Sequence, residues 1–159
     1  MGGCVSSRIM PQEINSINID NFEKNYILTS WSKIIYNTPV IYYDINDKKR
    51  CSPFIDYFYK LVHQNNKLKN IIYNVDTKHY IIQQIINIIL IDINEKIKLK
   101  KIVRQLILHY IGKSEFIILC HSFLLTIKMI DKMSITHFNI WAKSICYILK
   151  NILDIYETI

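Results

Sequence analysis

The chain contains very little glycine and proline, with three of each among 159 residues. Hairpin-rich folds need many tight turns, and these two residues supply most of them. Their scarcity therefore favours long helices joined by short polar loops. Half of the residues are hydrophobic, and this length suits one domain with a single core. We expect an all-α bundle of about six to seven helices over residues 20–159, preceded by a flexible tether over residues 1–19.

Cysteine pairing and long apolar runs are also missing. The four cysteines form no Cys-x-x-Cys pair, and no secretory leader precedes them, so we expect free thiols in a reducing compartment. The two most apolar stretches, residues 80–93 and 116–127, are interrupted by polar residues. Both fall short of the roughly 18 uninterrupted apolar residues that a membrane span requires. We therefore expect no helix that crosses a bilayer.

The motifs of several enzyme classes do not occur in this sequence. There is no glycine-rich phosphate loop, no His-Glu-x-x-His and no Gly-x-Ser-x-Gly. The formal net charge is +7, which suggests nucleic acid in principle. The Lys and Arg residues, however, alternate with apolar stripes and form no concentrated basic arm. We expect solvated helical faces, no nucleic-acid partner and no enzyme.

Apolar side chains recur at helical spacing along most of the chain. Asp20 is a candidate cap for a first helix that stops before Pro39, and Ser52 with Pro53 opens a second helix. Residues 37–51 have the composition of a solvated surface loop. Further helices are predicted over residues 66–72, over residues 81–89, over residues 99–109, from Ser114 with Glu115, and from a cap at Ser134.

His109 closes an apolar stripe on one of these helices. The spacings of three and four residues place it on the same face as the other members, which are Leu99, Ile102, Val103 and Leu106. We therefore expect its imidazole to point into the interior. There a neutral imidazole either makes a hydrogen bond or binds a metal ion through one ring nitrogen. We interpret His63, His121 and His137 as surface or core residues.

The extreme N-terminus reads Met-Gly-Gly-Cys-Val-Ser-Ser. Gly2 with a serine four residues later fits the pattern for N-myristoylation, and Cys4 stands where a palmitoyl chain is usually added. One myristoyl chain binds membranes only marginally, so a second chain on Cys4 would make attachment stable. We expect both residues to be lipidated and the chain to lie on the cytoplasmic leaflet of a membrane. The alternative is an ordinary flexible terminus.

Several short segments keep a common order and spacing along the chain. They are Ser30-Trp31 followed by Ile34, residues 59–62, residues 66–72, Gly112 with Glu115 and Phe116, Phe123-Leu124, and Ser134 followed seven residues later by Trp141. Together, over residues 22–156, they resemble the helices of the globin family. The resemblance implies a globin-like bundle. Acylated N-termini also occur among invertebrate globins, nematode globins especially.

The resemblance implies a haem site around His109. This residue falls where the proximal ligand of the haem iron belongs, and it would bind iron through one nitrogen while the other donates to a backbone carbonyl. A shift of the helix by one residue would place Tyr110 at the ligand position. The implied apolar wall of the pocket consists of Ile72, Ile81, Ile82, Ile85, Leu106 and Phe116.

The distal side of the implied pocket departs from the globin pattern. Ile72 stands where globins carry a phenylalanine stacked on the haem, and Asn66 stands where a proline is usual. Depending on the register, Thr77 or Ile81 occupies the distal position, and His79 lies between them. For His79 the alternative is a partly exposed residue at the start of a helix. The distal candidates are Thr77, His79 and Tyr80.

Two functions follow from these expectations. The first is a membrane-tethered globin that binds haem and oxygen or another gaseous ligand, for local sensing or for redox and ligand chemistry. The second is a haem-free globin-like module, acylated and acting at a membrane as an interaction or signalling protein. In that case His109 is a core residue. The ligand histidine on an inward stripe favours the first function, and the altered distal segment favours the second.

Overall fold

The computed structural model describes residues 19–36, 42–44, 49–51, 53–91, 95–131 and 134–159. Within this part the chain is a bundle of seven helices, which confirms the all-α fold and the expected helix number. In chain order the elements are α1 Asn21–Tyr36, β1 Tyr42–Asp44, β2 Lys49–Cys51, α2 Pro53–Val62, α3 Asn66–Ile71, α4 Val75–Leu90, α5 Lys96–Leu108, α6 Lys113–Asp131 and α7 Ile135–Thr158.

The segment before α2 differs from its predicted state. We expected residues 37–51 to be a surface loop, but β1 and β2 pair in antiparallel fashion, with Tyr42 opposite Cys51. Adjacent tyrosines favour strand, and the charged residues between the strands obscured this preference in the sequence. The hairpin is the one β element in the part of the chain that the structure describes, so the fold class is unchanged.

Side-chain caps define where several helices begin. Asp20 and Glu23 form a reciprocal capping box at α1, in which the Glu23 N–H donates to Asp20 Oδ1 at 2.7 Å and the Asp20 N–H donates to Glu23 Oε1 at 3.2 Å. Ser134 caps α7 by accepting the His137 N–H at 3.3 Å. Both caps were predicted from the sequence. Ile19, assigned to the tether, is buried, so the domain begins at least one residue earlier than expected.

Helix α6 begins in a different way from the one predicted. The Phe116 N–H donates to the Gly112 carbonyl, and the Gly112 N–H donates to Glu115 Oε1 at 2.9 Å. Gly112 therefore caps this helix, whereas Ser114 is exposed in its first turn. A side chain at position 112 would meet Glu115, because a Cβ there would lie 2.9 Å from Oε1. A larger residue there would therefore require the Glu115 carboxylate to shift from its capping position.

The core centres on α7, which packs against α1, α4, α5 and α6, while α2 packs most extensively against α6. Much of its length is buried, and the buried residues are Trp141, Ser144, Ile145, Cys146, Tyr147, Ile148, Leu149, Ile152 and Ile155. An amphipathic helix usually buries one stripe, so this broad burial marks α7 as the central helix.

Aromatic side chains join four helices at one end of the core. Trp31 of α1 makes an edge contact with Phe54 of α2 at 5.1 Å and contacts Phe123 of α6 at 5.6 Å. Phe123 in turn contacts Trp141 of α7 at 5.9 Å. The Trp141 Nε1–H donates to the buried Ser30 hydroxyl at 3.2 Å, so its polar atom is satisfied. Rings at these separations stabilise the junction beyond their buried area.

None of the helices in the described ranges is by itself long and apolar enough to cross a membrane. Two consecutive segments reach that length and apolar composition only when taken together, and the chain bends by 101° between them. They are Lys96–Leu108 and Lys113–Ile130.

Candidate functional site

His109 lies at the end of α5 rather than inside the core. Leu99, Val103 and Leu106 of its stripe are buried, as predicted, but the helix ends at Leu108. His109 is the C-terminal cap residue, and it is half-buried. The expectation that its imidazole points into the interior is wrong. His109 lies at the edge of the stripe, where Ile102 is also half-buried, and its ring turns back to the Gln105 carbonyl.

The imidazole of His109 has two defined contacts. Its ring stacks on the Tyr80 ring of α4, with 4.9 Å between centroids and 26° between planes. Its Nδ1 lies 2.8 Å from the Gln105 carbonyl oxygen, one helical turn earlier. A carbonyl only accepts, so Nδ1 carries the proton and Nε2 is the basic nitrogen of the neutral ring. This matches the tautomer expected of a histidine that binds metal through Nε2.

The predicted wall of the haem pocket is part of the continuous core. All six wall residues are buried and belong to one cluster of mutually packed side chains: Ile72, Ile81, Ile82, Ile85, Leu106 and Phe116. Their predicted burial is therefore confirmed, but they pack against protein. Two surface cavities are lined by other residues, and neither includes His109 or a wall residue. The donor nitrogen fits a haem, whereas the packed wall does not.

Of the three distal candidates, Tyr80 is the one whose ring contacts His109. The backbone N–H of Thr77 donates to Asn74 Oδ1 at 2.8 Å, so Thr77 belongs to the capped first turn of α4. His79 and Thr77 are both half-buried. The alternative proximal ligand, Tyr110, is 75% exposed and therefore lies outside the packed core.

Tyr110 adopts a left-handed backbone conformation, with φ of 64°. Its N–H donates to the Ile107 carbonyl, and the Ile111 N–H donates to the Leu106 carbonyl, which is the hydrogen-bond pattern of a Schellman motif. Glycine usually occupies this position, because a Cβ is unfavourable there. The motif ends α5 immediately after His109 and turns the chain toward α6.

A second polar cluster joins α2 to α4, and the sequence did not single it out. The Tyr59 hydroxyl donates to the Lys78 carbonyl at 2.7 Å, and His63 Nε2–H donates to the Ile72 carbonyl at 2.7 Å. Burial lowers the pKa of His63; the hydrogen bond to Ile72 opposes this shift, and the Lys78 and Lys69 ammonium groups add to it. The neutral ring is therefore favoured in the folded state. This arrangement holds the α3–α4 turn against α2.

An open cavity of about 440 Å³ lies between α2 and α6. It is bordered by Leu61, Gln64, Asn65, Ile117, Ile118, His121, Ser122 and Leu125. His121 Nε2 is buried there and has no hydrogen-bond partner among the described residues. His121 is thus a cavity residue, within the surface or core role expected for it. Across the same described ranges, no group of three or more His, Cys, Asp or Glu side chains is arranged to hold a metal ion.

Comparisons with known proteins give no relative for this chain. No protein-family model, no curated protein and no solved structure matches it. The residues of the proposed lipidation motif, Gly2 and Cys4, lie outside the described residues.

Proposed function

We propose that this chain is a haem-free, globin-like helical module that works at a membrane as an interaction or signalling protein. The observation that carries the proposal is the contact between α4 and α5, the two helices that a haem would separate. Tyr80 and His109 touch across this boundary, and the predicted wall residues pack into the common core. An apolar interior filled with side chains needs no cofactor to complete it.

Membrane attachment in this proposal rests on the N-terminal motif. Myristate on Gly2 and palmitate on Cys4 would supply the two hydrophobic anchors that stable attachment requires. The folded domain would then be held at the cytoplasmic face of the bilayer, where two-dimensional confinement raises its effective concentration for membrane-bound partners.

A second candidate function, a haem protein that binds oxygen or another gaseous ligand, is favoured by one observation. The Nδ1–H of His109 donates to Gln105, which leaves Nε2 as the metal-binding nitrogen. Haem bound there would supply the iron that takes the gas. His109 would hold this iron, and the wall residues would have to separate from one another to admit the porphyrin.

Haemin titration of purified protein distinguishes the two functions. We expect no saturable Soret band for the wild type, and spectra identical for His109→Ala and for the control variant His137→Ala, whose histidine is exposed on α7. A stoichiometric band that shifts with carbon monoxide and disappears only in His109→Ala would overturn the haem-free proposal. Circular dichroism of all three proteins would establish that each is folded.

Lipidation is tested in cells that acylate proteins. We expect the wild-type chain to incorporate a myristate analogue and to sediment with membranes. Gly2→Ala should lose the myristate analogue and sediment with membranes much more weakly than the wild type, whereas Cys4→Ser should keep the myristate and bind membranes only transiently. Equal membrane association of the wild type and Gly2→Ala would contradict anchoring through this motif.

A further inference from the structure

The outward face of α5 carries a ridge of exposed side chains. Ile97, Lys101, Arg104 and Leu108 follow one another at spacings of four, three and four residues, so they form one row along the helix. This row lies opposite the buried stripe. Ile97 and Leu108, at its two ends, are 86% and 70% exposed. They are separated by about 16 Å along the helix axis.

The same helix is strongly basic. Its sequence, KIKLKKIVRQLIL, has five cationic residues and no acidic one. Lys98 pairs with Glu95, just before the helix, at 3.3 Å. The other four cations, Lys96, Lys100, Lys101 and Arg104, make no ion pair with any residue in the described ranges. Their charge is available to an anionic partner.

An exposed tyrosine follows this end of the helix, two residues beyond Leu108. Tyr110 is highly exposed, and it occupies the left-handed position where glycine would fit best. A bulky residue there costs stability, and such a cost points to a role for the side chain. Ile107, Leu108 and Tyr110 are thus three exposed large apolar residues within four positions at this end of the helix.

We propose that the ridge of α5 docks on an anionic lipid surface, with its cations on the headgroups and the exposed apolar side chains in the interface. A basic helix face flanked by large apolar groups has the composition of an interfacial membrane helix. Each Lys or Arg near an anionic leaflet strengthens binding, and tyrosine is enriched at the headgroup level. The inference deepens the proposed function, on which it rests, by naming the face that the domain turns toward the membrane.

The exposed apolar groups favour lipid over nucleic acid as the partner. Binding to a phosphate backbone is dominated by charge, and it gives no role to isoleucine and leucine standing out from the basic face. Lipid binding uses both classes of side chain at once. Loss of the exposed apolar residues should therefore weaken binding to lipid and leave binding to nucleic acid unchanged.

The experiment uses the full-length chain without acyl chains, so that lipid binding is measured independently of the N-terminal anchor. Co-sedimentation is measured with vesicles of phosphatidylcholine alone and with vesicles that also contain phosphatidylserine. We expect binding only to the second kind, weakened by salt. The variant K101Q/R104Q should bind about five-fold more weakly for each charge removed. The control K33Q/K60Q, which removes two exposed lysines from α1 and α2, should match the wild type.

Two single isoleucine variants, one on the ridge and one elsewhere, test how much apolar side chains contribute to vesicle binding. Ile97→Ser should weaken vesicle binding by roughly five- to ten-fold, because the side chain loses its burial in the interface. Ile135→Ser, at the equally exposed start of α7, should bind like the wild type. Both substitutions lie on exposed surface, so both proteins should fold.

Three results would overturn the docking proposal. They are equal binding to both kinds of vesicle, equal losses in K101Q/R104Q and K33Q/K60Q, and binding to duplex RNA or DNA that Ile97→Ser leaves unchanged while the vesicles are not bound. If acylated protein binds membranes but the chain without acyl groups does not bind anionic vesicles, docking by α5 fails while membrane attachment stands. If the chain without acyl groups binds anionic vesicles but the wild-type chain incorporates no myristate analogue in cells, anchoring fails while docking stands.

Discussion

Helices α5 and α7 pack against each other, yet they are used in opposite ways. The central helix α7 buries nine residues over 24 positions, from Trp141 to Ile155. The peripheral helix α5 buries three over 13, and its remaining positions carry five cations, Gln105, the half-buried Ile102 and three exposed apolar residues. Burial on several sides requires apolar residues around most of a helix, whereas a single buried stripe leaves the other face unconstrained by packing.

We expect substitutions in α7 to change the stability of the fold, and substitutions on the outer face of α5 to change binding. Substitutions in α7 act on a densely packed interior, where each removed group leaves a cavity. Substitutions on the outer face of α5 should barely change folding, since exposed positions away from caps usually alter stability by less than about 0.5 kcal/mol. The end of α5, where His109, Tyr110 and Gly112 lie, combines structural and exposed residues. Substitutions there should therefore change both stability and binding.

Trp141→Ala should have the largest effect on stability. The side chain is fully buried between Phe123 and Ser30, so its removal leaves a large cavity and an unpaired hydroxyl. We expect a loss of about 3–5 kcal/mol in the free energy of unfolding, measured by denaturant titration. Trp141→Phe should lose less free energy of unfolding than Trp141→Ala. It gives a measurable variant if the alanine protein does not fold. A loss below that of His109→Ala would contradict the central position of α7.

Glu115→Ala should come second, because this carboxylate holds the start of α6. It accepts the Gly112 N–H and pairs with Lys67 at 3.1 Å, while only 13% of its side chain is exposed. Loss of a hydrogen bond to a charged group predicts about 1.5–3 kcal/mol. Glu115→Gln keeps an acceptor for Gly112 and should lose clearly less. Equal losses in the two variants would show that the charge, rather than the cap, supplies the stability.

The same carboxylate makes stability depend on pH. Burial raises the pKa of Glu115, but the Gly112 hydrogen bond and the Lys67 ammonium outweigh it, so the pKa lies below the ordinary value of 4.5. A lowered carboxyl pKa stabilises the fold above the pKa of the unfolded chain. The advantage of the wild type over Glu115→Gln should therefore be complete above about pH 5 and vanish as the pH falls through the folded-state pKa. Unfolding titrations of both proteins across this range would measure it.

The fold could be read from the sequence because its signals are local. The caps at Asp20 and Ser134 and the buried stripe of α5 each depend on residues within a few positions of one another. The end of α5 could not be read in this way. Tyr110 gives no sign of a left-handed conformation, and the nearby glycine, which would suggest a helix end, caps the next helix instead.

The burial of the candidate site's apolar residues could be predicted from the sequence, but what they pack against could not. Periodicity identifies Ile81, Ile85 and Leu106 as inward-facing, and they are buried. It does not say whether an inward face meets a cofactor or another helix, because both need the same apolar residues. That choice depends on how closely α4 approaches α5, which is set by tertiary contacts such as the one between Tyr80 and His109.

Tyr110→Gly should stabilise the protein by roughly 1 kcal/mol, since glycine adopts the left-handed conformation without the cost that a Cβ incurs. The same variant should bind anionic vesicles more weakly if the tyrosine ring contacts lipid. A matched control is Tyr73→Gly, which removes another exposed tyrosine at a position without a positive φ. Tyr73→Gly should give no gain in stability. A loss of stability in Tyr110→Gly would show that the ring makes a contact worth more than the backbone strain.

The smallest expected effect is the coupling between Tyr80 and His109. A stacked pair at 4.9 Å predicts a coupling energy of about 0.5–1 kcal/mol, measured as the non-additivity of Tyr80→Ala and His109→Ala in denaturant unfolding. The pair formed by Tyr26 and His137, whose rings lie at 4.8 Å on α1 and α7, provides a matched cycle elsewhere in the fold. If α4 and α5 are held together as the haem-free proposal requires, the coupling should stay the same when haemin is added. A coupling that disappears with haemin would mean that the two helices separate to admit it, and the edge of the bundle would then be the binding site after all.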